Sequence, residues 1–314
     1  MKNLANIVDN FSGKKIAVIG DVMLDHFLYG DIKRISPEAP APVVLLKKES
    51  FIPGGSANAA ANIRALGGQV FLMGVIGNDE ASKIIKTALK KMGVTTDGLV
   101  MDLSRPTIQK MRIIAGDKHI VRVDREEIKS INASLQVKVL KMLASRIKNL
   151  DMVVISDYAK GMMSKSLVKN IIKLAKKHNK MVIADTKPSQ MMHYKNVFLL
   201  KPNAKEARQM ANEQNLKKAG AVIQKKLQCN VVITAGVDGM MLFENDSVVH
   251  FSTKAKKVFD VVGAGDTVLS ALALALAAGA TLNQACVIAN HAAGIVVGKI
   301  GTATVSLKEL RRSL

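Results

Sequence analysis

Short apolar runs and longer amphipathic segments alternate along most of the chain. The runs are rich in β-branched and aliphatic side chains, which is typical of buried parallel strands. The segments between them carry apolar residues at helical spacing, interspersed with lysines. This alternation predicts an α/β fold with a doubly wound, mainly parallel central sheet. The predicted strands are 15–20, 70–76, 152–155, 181–184, 197–200 and 231–234, and the main predicted helices are 57–66, 80–92, 135–147, 167–177 and 268–278.

Two stretches depart from this alternation because they lack a helical period. Residues 27–51 mix turn residues with strand-forming residues, and residues 107–114 and 119–123 resemble two antiparallel strands joined by a turn at 115–117. We expect both stretches to form extended strands that leave the main sheet.

Polar side chains recur where the predicted strands end. In open α/β sheets ligands bind at the carboxyl ends of the strands, so a row of such residues predicts a substrate groove. Asp21 and Asp25, which follow the first strand, suit the hydroxyl groups of a sugar, although a turn or helix cap is the simpler interpretation. The other polar strand ends are Asp157, Asp185, Asn203 and Thr234.

The most distinctive stretch is the glycine-flanked turn at 263–266, which opens directly into an apolar helix. Gly263 and Gly265 allow a close backbone approach, and the helix start offers free N–H groups to an anion. Asp266 adds a carboxylate at the same place, which suggests a base beside a cradle for developing negative charge. A carboxylate favoured in the first helical turn is the alternative. A second glycine-rich turn, with Gly54, Gly55 and Asn58, opens another helix and provides a weaker signal for a ligand.

Composition restricts the class of protein. The formal net charge is +21, but the lysines are scattered along predicted helices and aromatic residues make up only 4%. A solvated basic surface is therefore favoured over a nucleic-acid partner, for which charge is the only argument. Two widely spaced cysteines indicate a reducing compartment, so we expect a cytoplasmic protein. The longest apolar run, 268–280, is shorter than the ~20 residues that span a bilayer, so no membrane partner is expected.

The common nucleotide motifs are absent. Residues 294–300 have one spacer too few for a Walker A loop, and no acidic residue lies between Asp266 and Glu309 to bind a dinucleotide ribose. The remaining combination of anion turn, carboxylate and polar groove suits phosphoryl transfer from a nucleotide to a sugar hydroxyl. Asn203 and Glu206 could hold Mg²⁺ through water. A capping box explains the same pair equally well.

Three of these motifs together resemble those of a known enzyme family. The Gly-Ala-Gly-Asp turn after Asp260, the glycine-rich stretch 54–58 and the Asn203-x-x-Glu206 pair resemble the PfkB, or ribokinase-like, carbohydrate kinases in their order. The resemblance implies a three-layer α/β/α domain over 1–314 with a small β-sheet lid from 27–51 and 107–123. It also implies ATP as co-substrate, Mg²⁺, and a monovalent cation as a further candidate. The implied base is Asp266, with Gly263, Ala264 and Gly265 as the anion hole. The resemblance places Asp25, Gly54, Gly55 and Asn58 on the sugar side, and we add the strand-end residues Asp21 and Asp157 as candidates for the sugar. It places Thr234 and Gly236 on the nucleotide side, and the further candidates there are Asn203, Glu206, Gly239, Gly265 and Asn290.

A narrower resemblance suggests the sugar. The strings GDVMLD at 20–25, RISPEAP at 34–40, SDYAKG at 156–161 and GKIGTATV at 298–305 are similar to the D-glycero-β-D-manno-heptose-7-phosphate kinases of lipopolysaccharide-core synthesis. These enzymes use ATP to phosphorylate the anomeric hydroxyl, giving the 1,7-bisphosphate on the route to ADP-heptose. Arg34, Lys160 and Lys187 are candidates for the phosphate that such a substrate already carries.

Two departures from the family pattern and several alternatives accompany this interpretation. Val261 replaces the usual threonine before the turn, and a nucleotidyltransferase domain that follows many such kinases is not present in these 314 residues. A stand-alone kinase and a portion of a bifunctional enzyme both fit.

A kinase for ribose, fructose or fructose 6-phosphate is the alternative enzyme, and a non-catalytic sugar-binding protein is a third possibility. Exposed lid edges lead us to expect a homodimer through the lid.

Overall fold

A mostly parallel sheet forms the centre of the protein. The computed structural model describes residues 4–116, 118–255, 258–299, 301 and 303–314, so parts of the predicted turn 115–117 and of the motif 298–305 lie outside the described residues. Along the sheet the strand order is β13-β12-β11-β10-β9-β8-β1-β4-β5, and only β12 and β13 run antiparallel to their neighbours. The strands are β1 (Lys15–Gly20), β4 (Gln69–Ile76), β5 (Leu99–Met101), β8 (Met152–Ser156), β9 (Met181–Asp185), β10 (Leu199–Leu200), β11 (Asn230–Thr234), β12 (Met240–Glu244) and β13 (Ser247–Phe251).

Helices cover both faces of this sheet. Alternate side chains of β1 explain the two layers, since Ile16 and Val18 pack into one hydrophobic core and Ala17 and Ile19 into the other. The first core contains helices α1 (Leu4–Asp9), α2 (Ser56–Ala65), α3 (Glu80–Lys91), α8 (Ala264–Ala277), α9 (Leu282–Val296) and α10 (Leu307–Ser313), and the second contains α4 (Ala133–Arg146), α5 (Lys165–Lys177), α6 (Ala204–Ala211) and α7 (Leu216–Leu227). The predicted three-layer α/β/α architecture is confirmed.

Helix α8 is buried along almost its whole length, unlike the lysine-rich surface helices. Its sequence is apolar on every side, so it packs in the core between α2 and α9 instead of presenting a polar face to water. Its first turn lies beside Asn58 of α2 and beside Tyr158, which follows the carboxyl end of β8. Within the described residues, no helix is both long and apolar enough to cross a membrane.

A separate small sheet comes from the two stretches that lacked a helical period. It contains β2 (Val22–Ile35), β3 (Pro42–Gly55), β6 (Ile108–Ala115) and β7 (Lys118–Arg125), in the order β3-β2-β6-β7. The outer pairs are antiparallel, whereas β2 and β6 are parallel. The prediction of extended strands away from the main sheet is confirmed. Because β2 follows β1 after a single residue, its inner half is buried at the site while its outer half extends into solvent.

Candidate active site

Asp266 lies in the first turn of α8, at the junction of the two sheets. Its side chain is almost fully buried, and both carboxylate oxygens accept a hydrogen bond. The Asn58 amide donates to Oδ2 at 2.7 Å, and the Tyr158 hydroxyl donates to Oδ1 at 2.8 Å. Burial raises the pKa of Asp266 to about 6, and these two hydrogen bonds oppose the rise. The group is thus ionised at neutral pH but more basic than an exposed aspartate, which suits a general base.

A buried amide network orients Asn58 toward Asp266. Asn62 donates to the Asn58 backbone carbonyl at 3.0 Å and to its Oδ1 at 3.2 Å. The hydroxyl of Thr267 in turn donates to Asn62 Oδ1 at 2.8 Å. Since the Asn58 oxygen accepts from Asn62, its NH₂ group is directed at the carboxylate. The network therefore joins α2 to α8 and fixes the position of Asp266.

The turn before Asp266 has the backbone conformation that an anion site needs. Gly263 has φ of 80°, in the left-handed region that favours glycine. The Ala264 N–H, which the sequence suggested as part of the anion hole, donates to the Val261 carbonyl at 3.2 Å. No described side chain caps this helix end. The N–H groups of Gly265 and Asp266 thus remain for a bound anion.

We expect Tyr158→Phe to move the acidic limb of the kcat–pH profile to higher pH. The hydroxyl stabilises the ionised form of Asp266, so its loss raises the pKa of Asp266 above about 6 and leaves less carboxylate at a given pH. The profile is measured by steady-state phosphoryl transfer between pH 5 and 8. Tyr194→Phe is the matched control, because its buried hydroxyl donates to Asp157 instead. An unchanged limb in Tyr158→Phe would show that this hydrogen bond does not tune the base.

A cavity of about 500 Å³ opens on one side of the turn. Ala264 and Gly265 lie in its wall, and Tyr158 separates it from a second cavity. All the residues that the sequence suggested for a nucleotide line this cavity, namely Asn203, Glu206, Thr234, Gly236, Gly239, Gly265 and Asn290. They come from α6, α8, α9 and the loop after β11, which meet at the carboxyl end of the sheet. A cavity of this volume, lined by both polar and apolar side chains, can accommodate a nucleotide.

Asn203 and Glu206 form the capping box that the sequence allowed. Asn203 Oδ1 accepts from the Glu206 N–H at 2.9 Å, and Glu206 Oε2 accepts from the Asn203 N–H at 3.0 Å. The other oxygen of Glu206 binds Lys187 Nζ at 2.6 Å. Burial of Lys187 lowers its pKa, but the Glu206 contact outweighs this and the net shift is upward. The capping-box alternative is therefore formed, and both oxygens of Glu206 have partners within the protein.

A buried ion pair lies beneath the anion turn and was missed by the sequence analysis. Lys201 Nζ binds Asp185 Oδ2 at 2.8 Å, and the lysine side chain is only 3% exposed. A Cβ on Gly265 would come within 3.6 Å of the same Nζ. Burial raises the pKa of Asp185, although Lys201 opposes this. The turn thus has a fixed positive charge next to its backbone amides.

The second cavity, of about 240 Å³, lies on the other side of the turn and is bounded by the small sheet. Gly263, Asp266, Gly55, Asn58 and Asp25 all line it. Gly54 lies against Asp25, where a Cβ would come within 2.4 Å of the Asp25 carboxylate, so a side chain at this position would displace that carboxylate. Carboxylate and amide groups around a small cavity are suited to sugar hydroxyls. The remaining lining side chains are mostly cationic: Lys110, Arg112, Arg122 and Lys160.

The structure does not bring Asp21 and Asp157 into either cavity. Asp21 accepts hydrogen bonds from the backbone N–H groups of Tyr158, Lys160 and Met162, at 2.8 to 3.2 Å. Asp157 accepts from the Ala159 N–H and from the hydroxyls of Thr186 and Tyr194. Both carboxylates are buried and hold the loop after β8 in position. They are at the predicted strand ends, but they bind backbone and neighbouring side chains.

The three basic residues suggested for a substrate phosphate lie in three different places. Lys160 lines the smaller cavity, with its Nζ 2.5 Å from Glu126. Lys187 lines the larger cavity. Arg34 is exposed near the outer end of β2, nine residues beyond Asp25, or about 30 Å along an extended strand. The length of β2 therefore separates Arg34 from the site.

The family of this chain follows from comparison with known protein families. A family model described as pfkB family carbohydrate kinase matches residues 13–309. The chain belongs to the pfkB family of carbohydrate kinases. As a member of this family it is a sugar kinase, and the predicted family and enzyme class are confirmed.

Relatives with higher identity share one name. The chain is 41% identical over 303 residues to the bifunctional protein HldE of Helicobacter pylori strain J99, covering 95% of this chain and 65% of that protein. It is 39% identical over 314 residues to the HldE protein of Desulfatibacillum aliphaticivorans, covering 98% of this chain and 64% of that protein. The chain thus spans slightly less than two thirds of the length of these relatives.

Solved structures show the same fold at lower identity. Arabidopsis thaliana ribokinase, complexed with ribose and ATP, superposes with a TM-score of 0.74 at 19% identity, covering 96% of this chain and 98% of that chain. Escherichia coli phosphofructokinase-2, in complex with potassium, gives a TM-score of 0.76 at 19% identity, with coverages of 96% and 97%. These structures establish the ribokinase-like fold of this sugar kinase.

Proposed function

We propose that this sugar kinase transfers the terminal phosphoryl group of ATP to the anomeric hydroxyl of D-glycero-β-D-manno-heptose 7-phosphate. The product would be the 1,7-bisphosphate, on the route to ADP-heptose and the lipopolysaccharide core. The observation that carries the proposal is the position of Asp266 and the anion turn between a cavity of nucleotide size and a smaller cavity rich in cations. The strings at 20–25, 34–40, 156–161 and 298–305 support the choice of heptose, as does similarity to proteins named HldE.

In this reaction Asp266 removes the proton of the attacking hydroxyl. The hydroxyl oxygen forms a bond to the terminal phosphorus while the bond to the bridging oxygen of ADP breaks, and the proton remains on the carboxylate. The N–H groups of Gly265 and Asp266, with Lys201 close to the turn, stabilise negative charge on the transferred group. Burial of the site keeps water from competing with the sugar hydroxyl.

The proposal includes Mg²⁺ bound with the nucleotide. Among the described residues no group of three acidic, histidine or cysteine side chains could hold a metal directly. The site nevertheless fits a hydrated Mg²⁺, which keeps several waters and needs only one or two carboxylates. Glu206 would contribute one, with Asn203 at the same helix start and Asp185 near enough for Glu206 to raise its pKa. When bound, the ion would neutralise charge on the phosphates.

A specificity panel tests the sugar. With ATP as donor, we expect kcat/KM for heptose 7-phosphate to exceed that for ribose, fructose and fructose 6-phosphate by about 100-fold or more. Ribose and fructose lack the charged phosphate contacts, and fructose 6-phosphate differs in the spacing between its acceptor hydroxyl and its phosphate. Release of ADP measures the rate for each sugar. A preference for fructose 6-phosphate would assign the protein to a different sugar phosphate, and no turnover with any sugar would contradict the proposal.

We further propose that the small sheet closes over the sugar as a lid and that two copies associate through it. The outer strand β3 has an unpaired edge, and Ile35, Leu45 and Leu46 of the outer sheet are each more than half exposed. An apolar, unpaired edge of this kind is suited to pairing with a second copy. A monomeric mass in solution would contradict the dimer.

A further inference from the structure

We propose that Arg112 and Arg122, opposite each other on the small sheet, bind the phosphate that the sugar substrate already carries. This inference rests on the proposed function, which supplies the phosphorylated sugar. The sequence suggested Arg34, Lys160 and Lys187 for this phosphate. Of these three residues, Lys160 lines the small cavity. Arg112 and Arg122 come from β6 and β7, strands that contain none of the family's sequence motifs.

The strand register makes this arginine pair unusual. Arg112 of β6 and Arg122 of β7 are direct cross-strand partners, so their side chains project from the same face of the sheet. Like charges directly opposite each other in an antiparallel pair destabilise a sheet. Asp25 and Asp124 each offset one of the two charges, and an anion bound between the guanidinium groups would reduce the remaining repulsion. The face that carries them lines the small cavity that also contains Asp266, so one ligand can contact both.

The carboxylates around the pair hold the cations in place without neutralising all of them. Lys110 binds Asp124 and Glu126, each at 2.7 Å, and Lys160 shares Glu126. Arg122 binds Asp124 at 2.9 Å, and Arg112 binds Asp25. Four cations therefore share three carboxylates within this group, and the further carboxylate of the cavity, Asp266, is bound to Asn58 and Tyr158 instead.

The two arginines also have different environments. Arg112 is largely buried and lies over the Phe27 ring, 5.1 Å from its centroid, which fixes its plane. The Arg122 side chain is 55% exposed, and Asp124 holds its guanidinium group through two hydrogen bonds, at 2.9 and 3.2 Å. The two guanidinium groups can bind the oxygens of a phosphate from two sides, because each offers further N–H donors.

The test measures discrimination between heptose 7-phosphate and the same heptose without its phosphate. In Arg122→Gln we expect the ratio of the two kcat/KM values to fall by about tenfold or more, mainly through KM for the phosphorylated sugar, because a charge-assisted contact is lost. Arg125→Gln is the matched control. It removes the same charge from the same strand, but Arg125 has the opposite parity to Arg122 and lies on the other face of the sheet. Its ratio should equal that of the wild type.

The outcomes separate this inference from the proposed function. An unchanged ratio in Arg122→Gln, with wild-type turnover of heptose 7-phosphate, would overturn the phosphate site and leave the kinase assignment intact. If the wild type prefers another sugar phosphate, the same ratio is measured with that sugar and its dephosphorylated form. If no sugar is phosphorylated, binding of heptose 7-phosphate by phosphorus NMR titration decides: weaker binding in Arg122→Gln than in Arg125→Gln supports the site, and equal binding overturns it.

Discussion

Asp266→Asn is expected to lower kcat by about 10²- to 10⁴-fold, the range for loss of a general base. The amide keeps the size of the side chain and can still hydrogen-bond to Asn58 and Tyr158, but it cannot accept the hydroxyl proton. Because the chemistry is lost and the cavities keep their shape, KM for ATP and binding of the sugar should change little. Steady-state kinetics and equilibrium sugar binding measure the two effects separately.

The stability of this variant distinguishes loss of catalysis from loss of folding. Burial raises the pKa of Asp266 to about 6 in the folded protein, so ionisation disfavours the native state at pH values above the unfolded pKa. The neutral amide removes this penalty. We expect Asp266→Asn to be at least as stable as the wild type in thermal unfolding at pH 7. Near-normal kcat in a folded variant would exclude Asp266 as the base.

Lys201→Met is expected to lower the free energy of unfolding by about 3 kcal/mol at pH 7, the lower end for breaking a buried ion pair. Methionine fills the volume of the lysine, but Asp185 then remains buried without its cation. The loss should be largest at neutral pH. As the pH falls through the raised pKa of Asp185, protonation removes the unpaired charge and the deficit shrinks.

A double variant shows whether the lost stability comes from the unpaired charge of Asp185 or from lost packing. Asp185→Asn combined with Lys201→Met removes both charges, so we expect it to recover most of the lost stability in urea unfolding at pH 7. The double variant should still be slower than the wild type in phosphoryl transfer, because Lys201 lies next to the anion turn. A double variant no more stable than Lys201→Met would point to lost packing as the source of the effect.

Local patterns in the sequence were sufficient for the fold and for the turn at Asp266. Buried strands and amphipathic helices differ in period, so their alternation is visible without tertiary information. The absence of a helical period in 27–51 likewise indicated the small sheet. The turn could be recognised because its glycines, helix start and carboxylate are adjacent in the chain.

Residues that act through distant partners were harder to predict. Tyr158 lies in the string SDYAKG at 156–161, yet its hydroxyl donates to a carboxylate 108 positions away in the chain. Arg112 and Arg122 belong to strands whose alternating basic residues resemble a solvated edge, and only the register of β6 with β7 shows that they meet. Asp21 and Asp157 were predicted to bind a sugar because they follow strands, but their carboxylate oxygens accept hydrogen bonds from the loop after β8.

The most direct test of the central claim is phosphorus NMR of the wild-type protein incubated with ATP, Mg²⁺ and heptose 7-phosphate. We expect loss of the terminal phosphate signal of ATP, appearance of the two ADP signals, and one new sugar phosphate resonance that is coupled to the anomeric proton, while the original sugar phosphate signal persists. Release of inorganic phosphate alone, or a new phosphate on any other carbon of the sugar, would contradict it.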